Sequence, residues 1–198
     1  MKTDNFVPQM AIALVHHPIV DREKKIVATN ITNFDIHDIA RASTVYGVDK
    51  YFIVHPMKEQ LMFVERILDH WRVGQGAKFN PYRKTALNPV RTAEDVAKAI
   101  EAWKKESQIT EDPVIIATHA RAVNGAKPLT FEGARDLLWT QKKPVFVIFG
   151  TGFGLTDEFM TNCHYVLESI KGAPPRDYRH LSVRSAVSIC LDRLLGPW

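Results

Sequence analysis

The hydrophobic positions of this chain follow two periods that alternate along it. Residues 10–15, 51–54, 114–117, 145–149 and 165–167 are short runs rich in β-branched and aromatic side chains, as expected of strands buried on both faces. Between them, apolar residues recur at helical spacing. Ile36, Ile39, Ala40 and Ser43 mark a helix over 34–46, which Asn33 or Asp35 can cap. Met57, Leu61, Val64, Leu68 and Trp71 form a stripe ending at Gly74. Val96, Ile100 and Trp103 follow a possible cap at Thr92, and residues 131–139 make a further helix. The last helix, 183–195, is apolar on more than one face, which predicts burial. Residues 21–25 form a charged turn before an extended piece at 26–29, and the Gly-, Asn- and Pro-rich stretch 74–89 reads as loop. Strands alternating with helices predict an α/β chain with a mainly parallel sheet flanked by helices. It forms one domain over residues 1–198, without repeat or linker.

Composition narrows the setting. The chain has 198 residues, 45% of them hydrophobic and 24% charged, enough for one substantial core. It has no apolar run of about 20 residues, so no membrane span is expected. Residues 1–10 are polar and do not resemble a signal peptide. Cys163 and Cys190 are too few for a disulfide framework, which leads to the expectation of a cytoplasmic protein with reduced thiols. His16-His17 has no Cys or carboxylate at ligand spacing, so no metal site is signalled.

Net charge is +4 and the pI is near 9.1. Lys171, Arg176, Arg179 and Arg184 cluster late in the chain with only Asp177 against them, and Arg83 and Lys84 follow Tyr82 in the expected loop. Solvated surface accounts for any one of these cations. The late cluster also suits RNA or another polyanion.

One segment invites a ligand. The run Val145-Phe-Val-Ile-Phe149 empties into Gly150-Thr-Gly152-Phe-Gly154-Leu155, a strand end whose backbone approaches something closely. A phosphate loop would need a Lys and a hydroxyl at its end, but Leu155-Thr156-Asp157 follow. A dinucleotide fingerprint, and with it a nucleotide-dependent oxidoreductase, would need a glycine where Leu155 stands. Two readings stay open. One is a ligand without phosphate, held by main-chain groups and apolar walls, for which the adenosyl part of S-adenosylmethionine is suited. The other is a glycine-rich strand end with no ligand.

The segment 149–155, then Tyr165-Val-Leu-Glu-Ser-Ile170, then His180-Leu-Ser-Val-Arg-Ser-Ala186 leading into the last helix, resembles the successive motifs of SPOUT-class RNA methyltransferases. Asn33-Phe-Asp-Ile-His-Asp-Ile-Ala-Arg-Ala42, followed by Tyr46-Gly-Val-Asp49, resembles the first motif of that class. The resemblance covers nearly the whole chain and is nearest a small bacterial group of predicted RNA methyltransferases. It implies a C-terminal trefoil knot, a rare exception to ordinary topology. It also implies a homodimer and S-adenosylmethionine-dependent methyl transfer to tRNA or rRNA, at a ribose 2′-oxygen or a base nitrogen.

By motif position, Thr118, Phe149, Gly150, Gly152, Gly154, Ile170, Leu181, Ser182 and Ser185 would line the cofactor crevice. Arg41 would be catalytic or position the RNA, with Asp35 ahead of Asp38 as the base. Arg121, Arg176 and Arg179 would contact phosphate. Helical spacing separately puts His37, Asp38 and Arg41 on one face. Two positions depart from the ribose-methylating pattern: Asp35 and Ser182 stand where that pattern has Asn. These departures leave open a knotted module that binds RNA or cofactor without catalysis.

Overall fold

The computed structural model describes residues 6–197. The strands are β1 (Met10–Val15), β2 (Ile19–Val20), β3 (Ile26–Val27), β4 (Lys50–Val54), β5 (Val90–Ala93), β6 (Val114–Thr118), β7 (Pro128–Leu129), β8 (Val145–Gly150) and β9 (Tyr165–Leu167). The helices are α1 (Asn33–Val45), α2 (Lys58–Arg72), α3 (Gln75–Phe79), α4 (Pro81–Leu87), α5 (Val96–Glu106), α6 (Phe131–Arg135), α7 (Asp157–Thr161) and α8 (Val183–Leu195). Seven strands form one sheet in the order β5-β4-β1-β8-β6-β9-β7, and every neighbouring pair is parallel. β2 and β3 form a separate antiparallel hairpin.

Alternation along the strands sorts the core into two layers. Met10, Ile12, Leu14, Val145, Val147 and Phe149 pack with α1, α2, α6 and α8. Ala11, Ala13, Val15, Phe146 and Ile148 pack with Trp103 of α5 and Met160 of α7. Because the strands are parallel, the connections after β1, β4, β6, β8 and β9 all leave from one end of the sheet. Register sets their depth: Val15 lies opposite both Val54 and Gly150, so the residues that follow these three start level with one another.

β1, β9 and α8 begin and end at the expected residues, and the parallel α/β architecture is as expected. Other elements differ for local reasons. Thr32, rather than Asn33 or Asp35, caps α1: the Asp35 amide donates to its hydroxyl. Thr92 lies in β5, and Asp95 caps α5 by accepting from the Lys98 amide. Residues 74–89 are not a loop. Gly74 precedes α3, and Asn80 caps α4, with Pro81 at the first helical position, where its missing N–H costs nothing.

The helix expected over 131–139 is α-helical only to Arg135 and widens into a π turn over Asp136–Thr140. From this stretch the Arg135 guanidinium donates to the carbonyls of Arg193, Leu194 and Gly196, and the Trp139 indole donates to Leu194, closing the end of α8. α8 itself buries Val187, Cys190, Leu191 and Leu194 on a single face, while Val183, Ala186 and Ile189 are only partly covered. The expected burial therefore holds for one face, and the apolar residues of the others are only partly covered.

A polar cluster secures the start of β4. Asp49 accepts from Trp103 Nε1 (2.7 Å), Lys50 Nζ (2.9 Å) and Ser107 Oγ. Burial alone would push its carboxyl up, but the hydrogen bonds from Ser107, Lys50 and Trp103 outweigh that and hold it below the ordinary 3.8. The carboxylate form therefore adds stability above that value, and the gain is lost as pH falls through the lower folded value. Asp49→Ala, which leaves the fully buried Trp103 without its acceptor, is expected to lose about 2 kcal/mol. Urea unfolding at pH 7 reads this loss, and its gap from the parent should narrow below pH 3.8.

Candidate active site

Two ends of the chain meet at the open end of the sheet. Asp35, in the first turn of α1, is 5% exposed. Its Oδ1 accepts from Arg184 of α8 at 2.8 Å and its Oδ2 accepts from the Thr32 hydroxyl at 2.6 Å. Arg184 also lies 3.6 Å from Asp38, and Asp38 accepts from Arg41 at 2.7 Å. The charges thus run Asp35, Arg184, Asp38, Arg41, from buried to exposed. Asp38 and Arg41 keep 40% and 62% of their side-chain surface in water. A buried carboxylate needs such a partner, because desolvating it alone costs far more than the pair.

Arg184 is therefore not a free surface cation. It is one residue from Ser185 and two from Ser182, which caps α8 by accepting from the Ser185 amide at 3.2 Å. The two serine hydroxyls are also 3.0 Å apart. The structure brings the α1 candidates together with the Leu181–Ser185 wall.

The glycine loop lies at the same end and has protein on two sides. Gly152 has φ +56°, and a Cβ there would stand 3.2 Å from Ile19 and 3.4 Å from Thr29. Gly154 has φ +105°, and a Cβ would meet the His119 ring at 2.8 Å. Both positions exclude larger residues for reasons internal to the fold. The β2–β3 hairpin is bound to this loop: the Val20 amide donates to the Gly154 carbonyl at 3.0 Å, and Ile19 bridges Leu155. A substitution at Gly152 would disturb the hairpin before any ligand.

Of the other residues expected to line the crevice, Thr118 donates to the Ile148 carbonyl (3.0 Å), and Phe149, 2% exposed, is a core side chain offering only its backbone. Ile170 is half-buried and Leu181 is 44% exposed. The residues expected to line the crevice thus offer main chain, uncharged hydroxyls and apolar side chains. That donor set fits an adenosyl group, which brings no phosphate to neutralise.

Among the expected phosphate contacts, Arg121 and Arg176 are exposed, whereas Arg179 pairs with Asp177 and donates to Ser169 at 3.2 Å. Arg83 and Lys84 lie on α4 rather than in a loop.

A histidine cluster behind the glycine loop is not among the expected site residues. His16 is 0% exposed; its Nδ1 shares a hydrogen bond with the Thr29 hydroxyl, which is bonded in turn to Thr151. Its Nε2 has no partner among the described residues. His55, 1% exposed, donates from Nε2 to the Thr29 carbonyl and accepts the Met57 amide at Nδ1, which defines its tautomer. The signal in the sequence was a polar pair directly after a fully apolar strand.

A family model described as SAM-dependent RNA methyltransferase matches residues 9–196. The chain belongs to this methyltransferase family. A tRNA (guanine-N(1)-)-methyltransferase of Oleidesulfovibrio alaskensis is 41% identical over 98% of this chain, which spans only 44% of that relative's length. An uncharacterized protein of Aquifex aeolicus is 37% identical over 93% of the chain and 87% of its own length. The SpoU methyltransferase AviRb of Streptomyces viridochromogenes, solved in complex with AdoMet, superposes with a TM-score of 0.56 at 10% identity, over 95% of this chain and 57% of its own. That likeness establishes the SPOUT fold for this family member. Among the described residues no helix is long and apolar enough to cross a membrane.

Burial, and next the charge of His55, lower the His16 pKa from 6.5 to about 4. The unfolded chain therefore binds a proton between these values that the folded chain refuses, and stability falls as pH drops through that window. The full loss from His16 is up to about 3 kcal/mol. Denaturant unfolding from pH 7.5 to 4 should show this decline, and it should be shallower in His16→Asn.

Proposed function

We propose that this chain transfers the methyl group of S-adenosylmethionine to a nucleotide of RNA, at the junction of α1 and the start of α8. The observation that carries this reading is the Arg184 bridge, which sets the Asp38–Arg41 pair beside the Leu181–Ser185 wall. The glycine loop backbone, Thr118, Ile170, Leu181, Ser182 and Ser185 would hold the adenosyl part. When bound, S-adenosylmethionine supplies an electrophilic methyl on a sulfonium, so the chain must present a nucleophile in line and accept its proton.

Arg41, extending into solvent, would hold the target nucleotide. Both carboxylate oxygens of Asp35 are engaged by Arg184 and Thr32, so Asp35 would position Arg184. Asp38, half-exposed between two guanidiniums, is the carboxylate that can reach a proton from outside. A carboxylate base suits a base nitrogen, the chemistry named for the Oleidesulfovibrio relative. A ribose hydroxyl is the second target.

We also infer the trefoil knot and the homodimer that the SPOUT resemblance implies, and a cytoplasmic place of work. α8 packs against α1 and α6, and loops 151–156 and 168–182 leave the same sheet end, an arrangement a knot requires. Val45, 77% exposed on α1, and the partly covered Ile189 on α8 leave apolar surface for a second chain.

The test is methyl transfer from labelled S-adenosylmethionine to total tRNA and rRNA, with modified nucleosides read by mass spectrometry. Arg41→Ala and Asp38→Asn are each expected to slow transfer by about 100-fold or more with cofactor affinity retained; full rates in both would remove these roles. Binding of RNA and cofactor without transfer would make the chain a binding module instead. Leu181→Asp, a change at an exposed position, is expected to weaken S-adenosylmethionine binding by about tenfold or more in calorimetry.

A further inference from the structure

The α2–α4 face carries two aromatic rings that stand outside the core, beside a third, Trp71, that packs against it. Phe79 is 86% exposed and Tyr82 88%, while Trp71 is half-buried at the centre. The Arg83 guanidinium lies 4.4 Å from the Trp71 ring centroid, and His70 and His37 meet that ring edge-on at 4.9 and 5.8 Å. Two open hollows share His70 and Trp71 as a common ridge. One continues to Gln75, Lys78 and Phe79, and the other to Phe63, Arg66 and Asn33. Asn33 is the first residue of α1, two positions before Asp35, and His37 lies one turn before Arg41. The aromatic ridge is therefore continuous with the proposed methyl-transfer site.

Charge selects the occupant. Between Asp69 and Glu94 the chain carries no acidic residue, while Arg72, Lys78, Arg83, Lys84 and Arg91 are cationic. Two of these serve the fold: Arg72 donates to the carbonyls of Leu87 and Val90, and Arg91 pairs with Glu106. Lys78, Arg83 and Lys84 have no carboxylate partner among the described residues. A second copy of the chain meeting this face about a two-fold axis would bring like charges together. A polyanion whose units carry flat, stackable faces satisfies the rings and the cations at once.

We infer that this face binds a single-stranded segment of RNA, its bases stacked on Phe79 and Tyr82 and its phosphates met by Lys78 and Lys84, leading an unpaired nucleotide towards Asp38 and Arg41. The inference rests on the methyl-transfer reading for its direction but not for its contacts. It makes the substrate an unpaired region of RNA, because rings can stack only on bases that are already splayed from a helix.

The test uses fluorescence anisotropy with a labelled single strand of about 12 nucleotides and the same sequence as a closed duplex. The double variant Phe79→Ala/Tyr82→Ala, at two exposed positions, is expected to weaken single-strand binding by about tenfold or more. Duplex affinity should change less than about twofold, because phosphate contacts remain. Lys78→Ala/Lys84→Ala should flatten the salt dependence of binding. S-adenosylmethionine affinity, measured in parallel, should match the parent in every variant.

Equal single-strand binding by parent and double variant would overturn the inference even if methyl transfer proceeds. So would a double variant that changes sedimentation but not RNA affinity, which would assign the face to self-association. Loss of single-strand binding in the double variant, in a chain that methylates no RNA, would sustain the surface and remove the methyl-transfer reading.

Discussion

The ion pair between Asp35 and Arg184 joins residues 149 positions apart, and the functional end of the molecule depends on it. Asp35 is almost fully buried, its carbonyl accepting from the Tyr51 hydroxyl of β4, and a carboxylate there requires a cation. The cation comes from the first turn of α8, so that helix must start beside α1. With both helix starts in place, the half-exposed Asp38 and the solvent-facing Arg41 complete a chain of alternating charge that ends in water. Arg184 joins the buried carboxylate to the half-exposed one, because the guanidinium that neutralises Asp35 also lies 3.6 Å from Asp38.

The sheet contributes a constraint of a different kind. Parallel pairing throughout sends every strand's exit to one end, so the residues after β1, β4, β6, β8 and β9 share a floor. The glycine loop is not open on all sides there. The β2–β3 hairpin lies against Gly152, and the His119 ring lies against Gly154. The buried His16 and His55 tie this arrangement together through Thr29: one shares a hydrogen bond with its hydroxyl and the other donates to its carbonyl. Burial keeps both rings neutral at ordinary pH, and neutral rings can fill a polar niche without a counter-ion.

Two surfaces meet on α1. One side of the helix faces α8 and carries the carboxylate network. The other packs against α4 and meets Trp71 of α2 through His37. An RNA strand stacked along the α2–α4 ridge would therefore arrive beside the charges proposed to act on it, which would give the short helices α3 and α4 a reason to hold Phe79 and Tyr82 in water.

The sequence by itself determined the strands that are apolar on both faces and the helices with a clean stripe. Although α8 buries a single face, β1, β9 and α8 stand at the residues their apolar runs predict. It also carried the ordered motifs around Asp35, Gly150 and Arg184 that resemble a methyltransferase class. β5 was hidden, since Val90–Ala93 is only half-buried and follows a loop-like Asn-Pro. α3 and α4 were hidden because their caps, Gly74 and Asn80, are the residues that elsewhere mark a loop.

Only the tertiary structure decided which polar residues serve the fold and which face solvent. Nothing in the spacing of apolar and polar positions shows that Arg184 has a buried carboxylate for a partner and Arg176 has none among the described residues. The difference arises when α8 is laid against α1, for a charge is satisfied by whatever lies within a few ångströms in space, and that neighbour here is 149 residues away along the chain.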